Sequence, residues 1–269
     1  MRPISFLSDF GLEDEFVGVV HGVLTMLAPG SRIIDVTHAV GRGDVRSGAL
    51  SLVRSIPYLP EGICLAVVDP GVGTDRRGVA VETEWGVFVG PDNGLLSPAV
   101  AHVGGATRAV SLENPEARLP FASSTFHGRD VFAPAAALLA AGEAELSELG
   151  PEIPVDGLLP MILPLPEVEA STIKARAWWI DRFGNVQVNV GPDDLMGLGL
   201  MPGSTVTIRI GPNRHDVPWV SAYGDVPSGQ LGLLIDSAGL VSLAVNDDSA
   251  AERLTLSIDR EVVFTAEGA

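Results

Sequence analysis

Five prolines crowd the stretch between Gly150 and Glu169: Pro151, Pro154, Pro160, Pro164 and Pro166. Proline lacks a backbone N–H and fixes φ, so this stretch can hold neither a regular helix nor a central strand. It therefore reads as a linker over 156–170. It divides the chain into an N-terminal domain, 1–155, and a C-terminal domain, 171–269.

The two sides carry different patterns. Before the prolines, short apolar runs alternate with helical periodicity. Strands are expected at Ile4–Leu7, Arg32–Val36, Ile63–Val68, Gly78–Thr83 and Gly86–Val89, and helices at Glu13–Leu27, Asp44–Ile56 and Asp130–Ala141. Alternation of this kind predicts an α/β domain on a mainly parallel sheet. After the prolines come short strands separated by turns: Ala175–Ile180, Asn185–Val190, Thr205–Ile210, Val217–Val220, Leu231–Ile235, Leu240–Val245 and Arg253–Ile258. These predict a smaller β-barrel or sandwich.

Charge limits the partners. Asp and Glu number 34 against 17 Lys and Arg, a formal net charge of −17. Such a field repels nucleic-acid phosphates and anionic lipid, whereas a small cation is tolerated or attracted. The single cysteine, Cys64, lies in an apolar run and reads as a small buried hydrophobe, so neither a disulfide framework nor a thiolate metal site is expected. No signal-peptide pattern opens the chain, and no run approaches the roughly 18 apolar residues of a membrane span. A cytoplasmic protein with no membrane and no nucleic-acid partner is the expectation.

Four clusters carry potential chemistry at the ends of apolar runs, where α/β proteins place ligand sites. Ser8-Asp9-Phe10-Gly11 follows the first strand, and the Asp9 carboxylate can either chelate the vicinal hydroxyls of a ribose or close a turn. Asp69-Pro70-Gly71-Val72-Gly73-Thr74-Asp75-Arg76-Arg77 follows the most apolar strand. Arg76 can fold back onto Asp69, as a catalytic pair or simply as an ion pair closing a turn. It contains no GxxxxGK[ST] or GxGxxG phosphate loop. In Thr125-Phe126-His127-Gly128-Arg129-Asp130, His127 sits just ahead of a helix, where an imidazole can take a proton from water. His21, His38, His102 and His215 are read as hydrogen-bonded structural residues. In Ile180-Asp181-Arg182-Phe183-Gly184-Asn185, Asp181 offers a partner for an ammonium, Phe183 a stacking face and Asn185 an adenine contact, although Phe-Gly-Asn is also an ordinary hairpin turn.

Taken together, SDFG (Ser8–Gly11), IDVTH (Ile34–His38), AVVDPGVGTDRR (Ala66–Arg77), FVGPDNGLL (Phe88–Leu96), TFHGRDVFAPAAA (Thr125–Ala137) and IDRFGN (Ile180–Asn185) resemble the S-adenosylmethionine hydroxide adenosyltransferase family, which is similar to fluorinase and chlorinase. The resemblance runs from Ile4 to about Leu254. It implies an N-terminal α/β domain, a C-terminal β-barrel and a homotrimer whose sites lie between subunits. It also implies hydrolysis of S-adenosyl-L-methionine to adenosine and L-methionine, without cofactor. The family's water-activating triad falls on Asp69, Arg76 and His127. Carried over likewise, Asp9 holds the ribose hydroxyls, Asp181 the methionine ammonium, Phe183 and Asn185 the adenine, Ser237 the amino-acid portion and Tyr223 the base.

Three departures separate the chain from the halogenases. Asp69 stands where they carry a tyrosine, Gly128 where fluorinase carries its fluoride-binding serine, and the long fluorinase insertion is absent between Thr83 and Phe88. Gly128 alone would suit a chlorinase. A carboxylate beside the nucleophile, however, repels halide and suits water. The alternatives are a chlorinase-type halogenase and a non-catalytic S-adenosylmethionine- or adenosine-binding protein, which would have lost a triad member. No metal is expected in the reaction, because the acids are not spaced with histidines as a ligand set.

Overall fold

The computed structural model of the chain describes residues Met1–Ala266. Its internal contacts group it into two compact units, Met1–Ile162 and Leu163–Ala269.

The first unit is built on strands β1 (Ile4–Ser8), β2 (Ile33–Thr37), β3 (Gly62–Val67), β4 (Gly78–Glu82), β5 (Gly86–Pro91) and β6 (Arg108–Ser111), interleaved with helices α1 (Phe16–Leu27), α2 (Val45–Ser55), α3 (Ser97–His102) and α4 (Ala133–Ala141). Sheet order is β2-β1-β3-β5-β4-β6. The pairs β1–β2, β1–β3 and β3–β5 are parallel, and β4 runs antiparallel to both β5 and β6. Every residue of β1 and β3 is buried, as a strand covered on both faces requires.

Alternate residues go to opposite layers. Ile63, Leu65 and Val67 pack with Val20 and Leu24 of α1 and with the alanines of α4, whereas Cys64, Ala66 and Val68 pack with Ala49 and Leu52 of α2 and Ala99 of α3. α1 and α2 thus lie on opposite faces. The chain passes from β1 through α1 on one face to the outer strand β2, then through α2 on the other face back past β1 to β3, so a topological switch point falls between the β1 and β3 ends, where open α/β sheets form ligand crevices. Local chemistry sets the helix ends. The Asp44 carboxylate accepts from Ser47 N–H (2.9 Å) at the start of α2, and Gly142 supplies the left-handed residue that stops α4.

The second unit contains β7 (Glu167–Val168), β8 (Thr172–Ile180), β9 (Val186–Val188), α5 (Pro192–Gly197), β10 (Thr205–Ile210), β11 (Asn213–Pro218), β12 (Leu231–Ile235), β13 (Val241–Val245), α6 (Ala250–Leu254) and β14 (Glu261–Thr265). The strands form one sheet in the order β11-β10-β14-β8-β9-β13-β12, antiparallel throughout, with β7 added beside β8. A bridge from Trp219 to Leu233 brings its two ends together, giving a nearly closed barrel. Strand alternation fills the inside: Ile173, Ala175 and Ala177 from β8 meet Val206, Ile208 and Ile210 from β10.

One predicted strand is corrected. Arg253–Ile258 is not extended: Ser249 caps α6 by accepting from Glu252 N–H (3.1 Å), Thr255 ends it in a left-handed conformation, and the strand follows at Glu261–Thr265. Two further differences are smaller. The predicted helix at Asp130–Ala141 begins as one wide i→i+5 turn, Gly128–Phe132, before α4, and α1 starts at Phe16 rather than Glu13. Among the described residues, no helix is long and apolar enough to cross a membrane.

Candidate active site

In the parallel register of β1 on β3, Ser8 stands beside Val67. The residues just beyond, Asp9 and Asp69, therefore emerge together at the carboxyl edge of the switch point. Asp9 N–H donates to Val67 O (3.3 Å), and its Oδ2 accepts from Gly43 N–H (2.7 Å). Burial raises the Asp9 carboxyl above its ordinary value, and the nearby Asp69 charge pushes the same way against the Gly43 bond and Arg42. Two carboxylates at one edge make a place for a cation.

From Asp69 the chain makes two tight turns. Val72 N–H donates to Asp69 O (3.3 Å), and the Thr74 N–H and hydroxyl both donate to Gly71 O (3.2 and 2.7 Å). Gly73 has φ +78, and a Cβ there would lie 2.6 Å from Ser124 O, so only glycine lets this loop meet the 121–127 loop. The turns bring Arg76 back to Asp69 as a fork. Nε donates to Oδ1 (3.1 Å), and Nη2 donates to Oδ2. Their side chains are only 9% and 6% exposed, so this is a buried, charge-assisted pair and not a surface one. The guanidinium also lies over the Phe132 ring, 5.3 Å from its centroid.

His127 completes the group. Arg76 Nη2 lies 3.2 Å from His127 Nδ1. A guanidinium only donates, so Nδ1 accepts and the imidazole carries its proton on Nε2. Burial and the Arg76 charge hold the His127 pKa below its ordinary 6.5, against the opposing pull of Asp69. The structure thus brings together Asp9, Asp69, Arg76 and His127, with a neutral imidazole beside an ion-paired carboxylate.

The sequence gives no framing role to the groups around them. Phe126 meets Phe10 and Phe16 edge-on, and Phe10 and Phe16 are tilted against each other, with centroids 5.3–6.2 Å apart. Asp130 is buried and accepts from Arg129 Nε (2.6 Å) and Ser123 N–H (2.8 Å), which fixes the loop ahead of His127. Gly128 is hemmed in: a Cβ would lie 2.8 Å from Phe10 Cζ. A cavity of about 250 Å³ abuts Arg76, Arg118 and His127. A separate apolar cavity of about 320 Å³, beneath 155–160, contains none of the predicted residues.

The second unit places its candidates on a turn. Asp181 Oδ1 accepts from the N–H groups of Phe183 (2.8 Å) and Asn185 (2.9 Å), and Oδ2 accepts from Asn185 Nδ2 (2.8 Å). This is the hairpin-turn chemistry foreseen beside the ligand role. Gly184, at φ +81, makes the turn possible. Asp181, Phe183, Asn185 and Tyr223 line one cavity of about 650 Å³, with Phe183 70% exposed. Burial, with the charges of Asp181 and Asp236, raises the Tyr223 hydroxyl pKa. Ser237 is not in that lining; it lies on the β12–β13 turn, where Asp236 accepts from Ala238 N–H (2.9 Å).

Comparison with known proteins identifies the family. The SAM hydroxide adenosyltransferase N-terminal domain model matches residues 4–150, and the C-terminal domain model matches 175–263. An (R)-S-adenosyl-L-methionine hydrolase of Salinispora arenicola is 45% identical over 264 residues, covering 98% of this chain and 97% of that one. A fluorinase of an Actinoplanes species is more distant, at 29% identity with 97% of each chain covered. A crystal structure of an uncharacterized conserved protein from Thermotoga maritima superposes with a TM-score of 0.90 at 34% identity, covering 97% of this chain and 99% of that one. With both domain models matched in order along the chain, this chain belongs to the SAM hydroxide adenosyltransferase family.

Proposed function

We propose that this protein hydrolyses S-adenosyl-L-methionine to adenosine and L-methionine, by attack of water on the ribose 5′-carbon. The observation that carries the reading is the buried Asp69–Arg76 pair with His127 against it, beside Asp9. The sulfonium needs no acid, because it leaves as a neutral thioether. Water is the weak partner, so the site has to align it with the carbon–sulfur bond and take its proton.

In this reading, Asp69 accepts a hydrogen bond from the water, Arg76 fixes the carboxylate, and neutral His127 presents its Nε2–H to the water oxygen. As the carbon–oxygen bond forms, the carbon–sulfur pair passes to sulfur and the oxygen becomes strongly acidic. Its proton then moves to Asp69 and on to solvent. A carboxylate paired with arginine is base enough for that late transfer. Asp9 chelates the ribose hydroxyls, while Asp181, Phe183, Asn185 and Tyr223 recognise the methionine ammonium and the adenine. Ser237 contacts the amino-acid portion. The working form is a cytoplasmic homotrimer in which neighbouring subunits complete each other's sites, and it needs no cofactor.

The halogenase reading is disfavoured by one feature, and its fluorinase form by a second. Asp69 places negative charge where halide would have to sit. Substituting serine at Gly128 would also drive a Cβ into the Phe10 ring that Phe16 and Phe126 hold. The test is to incubate the protein with S-adenosyl-L-methionine in ¹⁸O-water, with and without chloride, and to identify the nucleoside by mass. Adenosine labelled at its 5′-oxygen under both conditions is expected. Chlorodeoxyadenosine as the dominant product, or no nucleoside at all, would overturn the reading in favour of a halogenase or a binding protein respectively.

A further inference from the structure

His21 on α1, Asp35 on β2 and His38 just after β2 are widely spaced in sequence, yet the fold converges them. His21 Nε2 and His38 Nε2 lie 2.8 and 3.0 Å from the same carboxylate oxygen, Asp35 Oδ1. All three candidate ligand atoms lie within 4.8 Å of one another. A carboxylate has two oxygens and could take one imidazole on each, but here both rings aim the same nitrogen at one point.

The surroundings are those of a coordination site. His38 is buried, and its other nitrogen, Nδ1, is 2.7 Å from Ser8 Oγ, which also accepts from Phe10 N–H (3.3 Å). The Phe6 ring meets His38 edge-on at 4.5 Å. The imidazole is therefore held in place from behind, with a hydroxyl able to accept Nδ1–H once Nε2 is a ligand, the outer contact that metal-bound histidines make. The open side is formed by His21 and Asp35, whose side chains are 33% and 44% exposed, leaving room for entry and for a solvent ligand. Burial would raise the Asp35 carboxyl, but the bonds from His38 and His21 outweigh it and hold the group below its ordinary value.

We infer that His21, Asp35 and His38 form a binding site for a divalent transition-metal ion, zinc by its donor set, distinct from the Asp69–Arg76–His127 group. Two imidazole nitrogens and one carboxylate oxygen with an open fourth position are a common zinc set. Two ligand atoms on one tetrahedral zinc stand about 3.3 Å apart, so the two Nε2 atoms must close by no more than about 1.5 Å while their distances to Asp35 Oδ1 lengthen by a few tenths of an ångström, most of it through the exposed Asp35 and the partly exposed His21. The net charge of −17 favours cation entry. Binding would tie α1 to the β2 end. Through Ser8 Oγ and the Gly11 N–H bond to His38 O (2.8 Å), it would also brace the loop that presents Asp9. It takes no part in the reaction proposed above, so the two can fail separately.

The test uses the intact chain stripped with chelator, titrated with Zn²⁺ by calorimetry and with Co²⁺ by visible absorption. One Zn²⁺ per chain is expected, with the intense cobalt spectrum of a four-coordinate N/O site. Affinity should fall about tenfold or more in both His21→Gln and Asp35→Asn, and should be unchanged in His102→Gln, His215→Gln and His127→Gln. His21 is partly exposed, so His21→Gln keeps the fold, and its thermal melt without metal should match that of the wild type. The proposal is overturned if the wild type shows no saturable binding, or if His21→Gln binds as tightly as the wild type.

Discussion

The two units hold their candidate residues in opposite ways. In the first unit, Asp69 and Arg76 are buried, paired through a two-toothed hydrogen bond and backed by Phe132, on a loop whose Gly73 admits no side chain. In the second unit, Phe183 is largely exposed and the Asp181 carboxylate shapes a surface turn. Groups that act on water must be placed before substrate arrives, because misplacement of about 1 Å can cost roughly a hundredfold in rate. Groups that recognise a ligand tolerate an open turn that closes on it. The contrast fits the proposed division, with water activated at Asp69, Arg76 and His127 and substrate recognised by Asp9 in the first unit and the Asp181 turn in the second.

Four predictions sharpen or break that contrast. The largest effect belongs to Arg76→Met. It strands the Asp69 charge in a buried position, which costs about 3–5 kcal/mol in denaturant unfolding, with kcat falling as well. Adding Asp69→Asn should return part of that stability, and full additivity of the two losses would mean that the pair is not coupled.

Next come Asp69→Asn and His127→Ala, each expected to lower kcat by roughly 10²-fold or more with little change in substrate Kd. Asp9→Ala and Asp181→Ala should do the reverse. KM is expected to rise about tenfold or more while kcat falls less, because these contacts serve ground and transition states alike. Mixed oligomers of Asp9→Ala and Asp181→Ala chains should regain activity at hybrid sites. Hybrids that form yet remain inactive would place each site within one chain.

The smallest effect is the pH response of His127. Its folded pKa is lowered, so between that value and the ordinary 6.5 the unfolded chain binds more protons. Stability should therefore fall as pH drops through this window. Activity should fall further down, as protonation turns Nδ1 into a donor facing Arg76. In His127→Gln the acid-side stability slope should flatten, as read from unfolding free energies at several pH values. An unchanged slope would mean that the imidazole is not held neutral by the fold.

Much of this was legible in the sequence, for identifiable reasons. Fully apolar β3 and the alternating core strands carry their own pattern, and Asp69 and Arg76 lie close enough along the chain for a turn to join them. The misread strand at Arg253–Ile258 concealed a visible signal: Ser249 with Glu252 three residues on is a helix-start pattern. β6 and α3 are too short to show a period. What could not be read was anything made by register or tertiary approach. The Gly43 N–H on Asp9, the Phe10 ring against Gly128 and the meeting of His21 with His38 at Asp35 all join distant segments, and spacing does not encode them.

The most direct test of the division of labour is made on a single preparation of Asp69→Asn. Substrate Kd is measured by calorimetry and the single-turnover rate by rapid quench, alongside Asp181→Ala and the wild type. The account predicts a near wild-type Kd with chemistry slowed roughly 10²-fold or more for Asp69→Asn, and a weakened Kd with chemistry much less affected for Asp181→Ala. Wild-type chemistry in Asp69→Asn, with the whole defect in Kd, would show that the buried pair only binds substrate and that water is activated elsewhere.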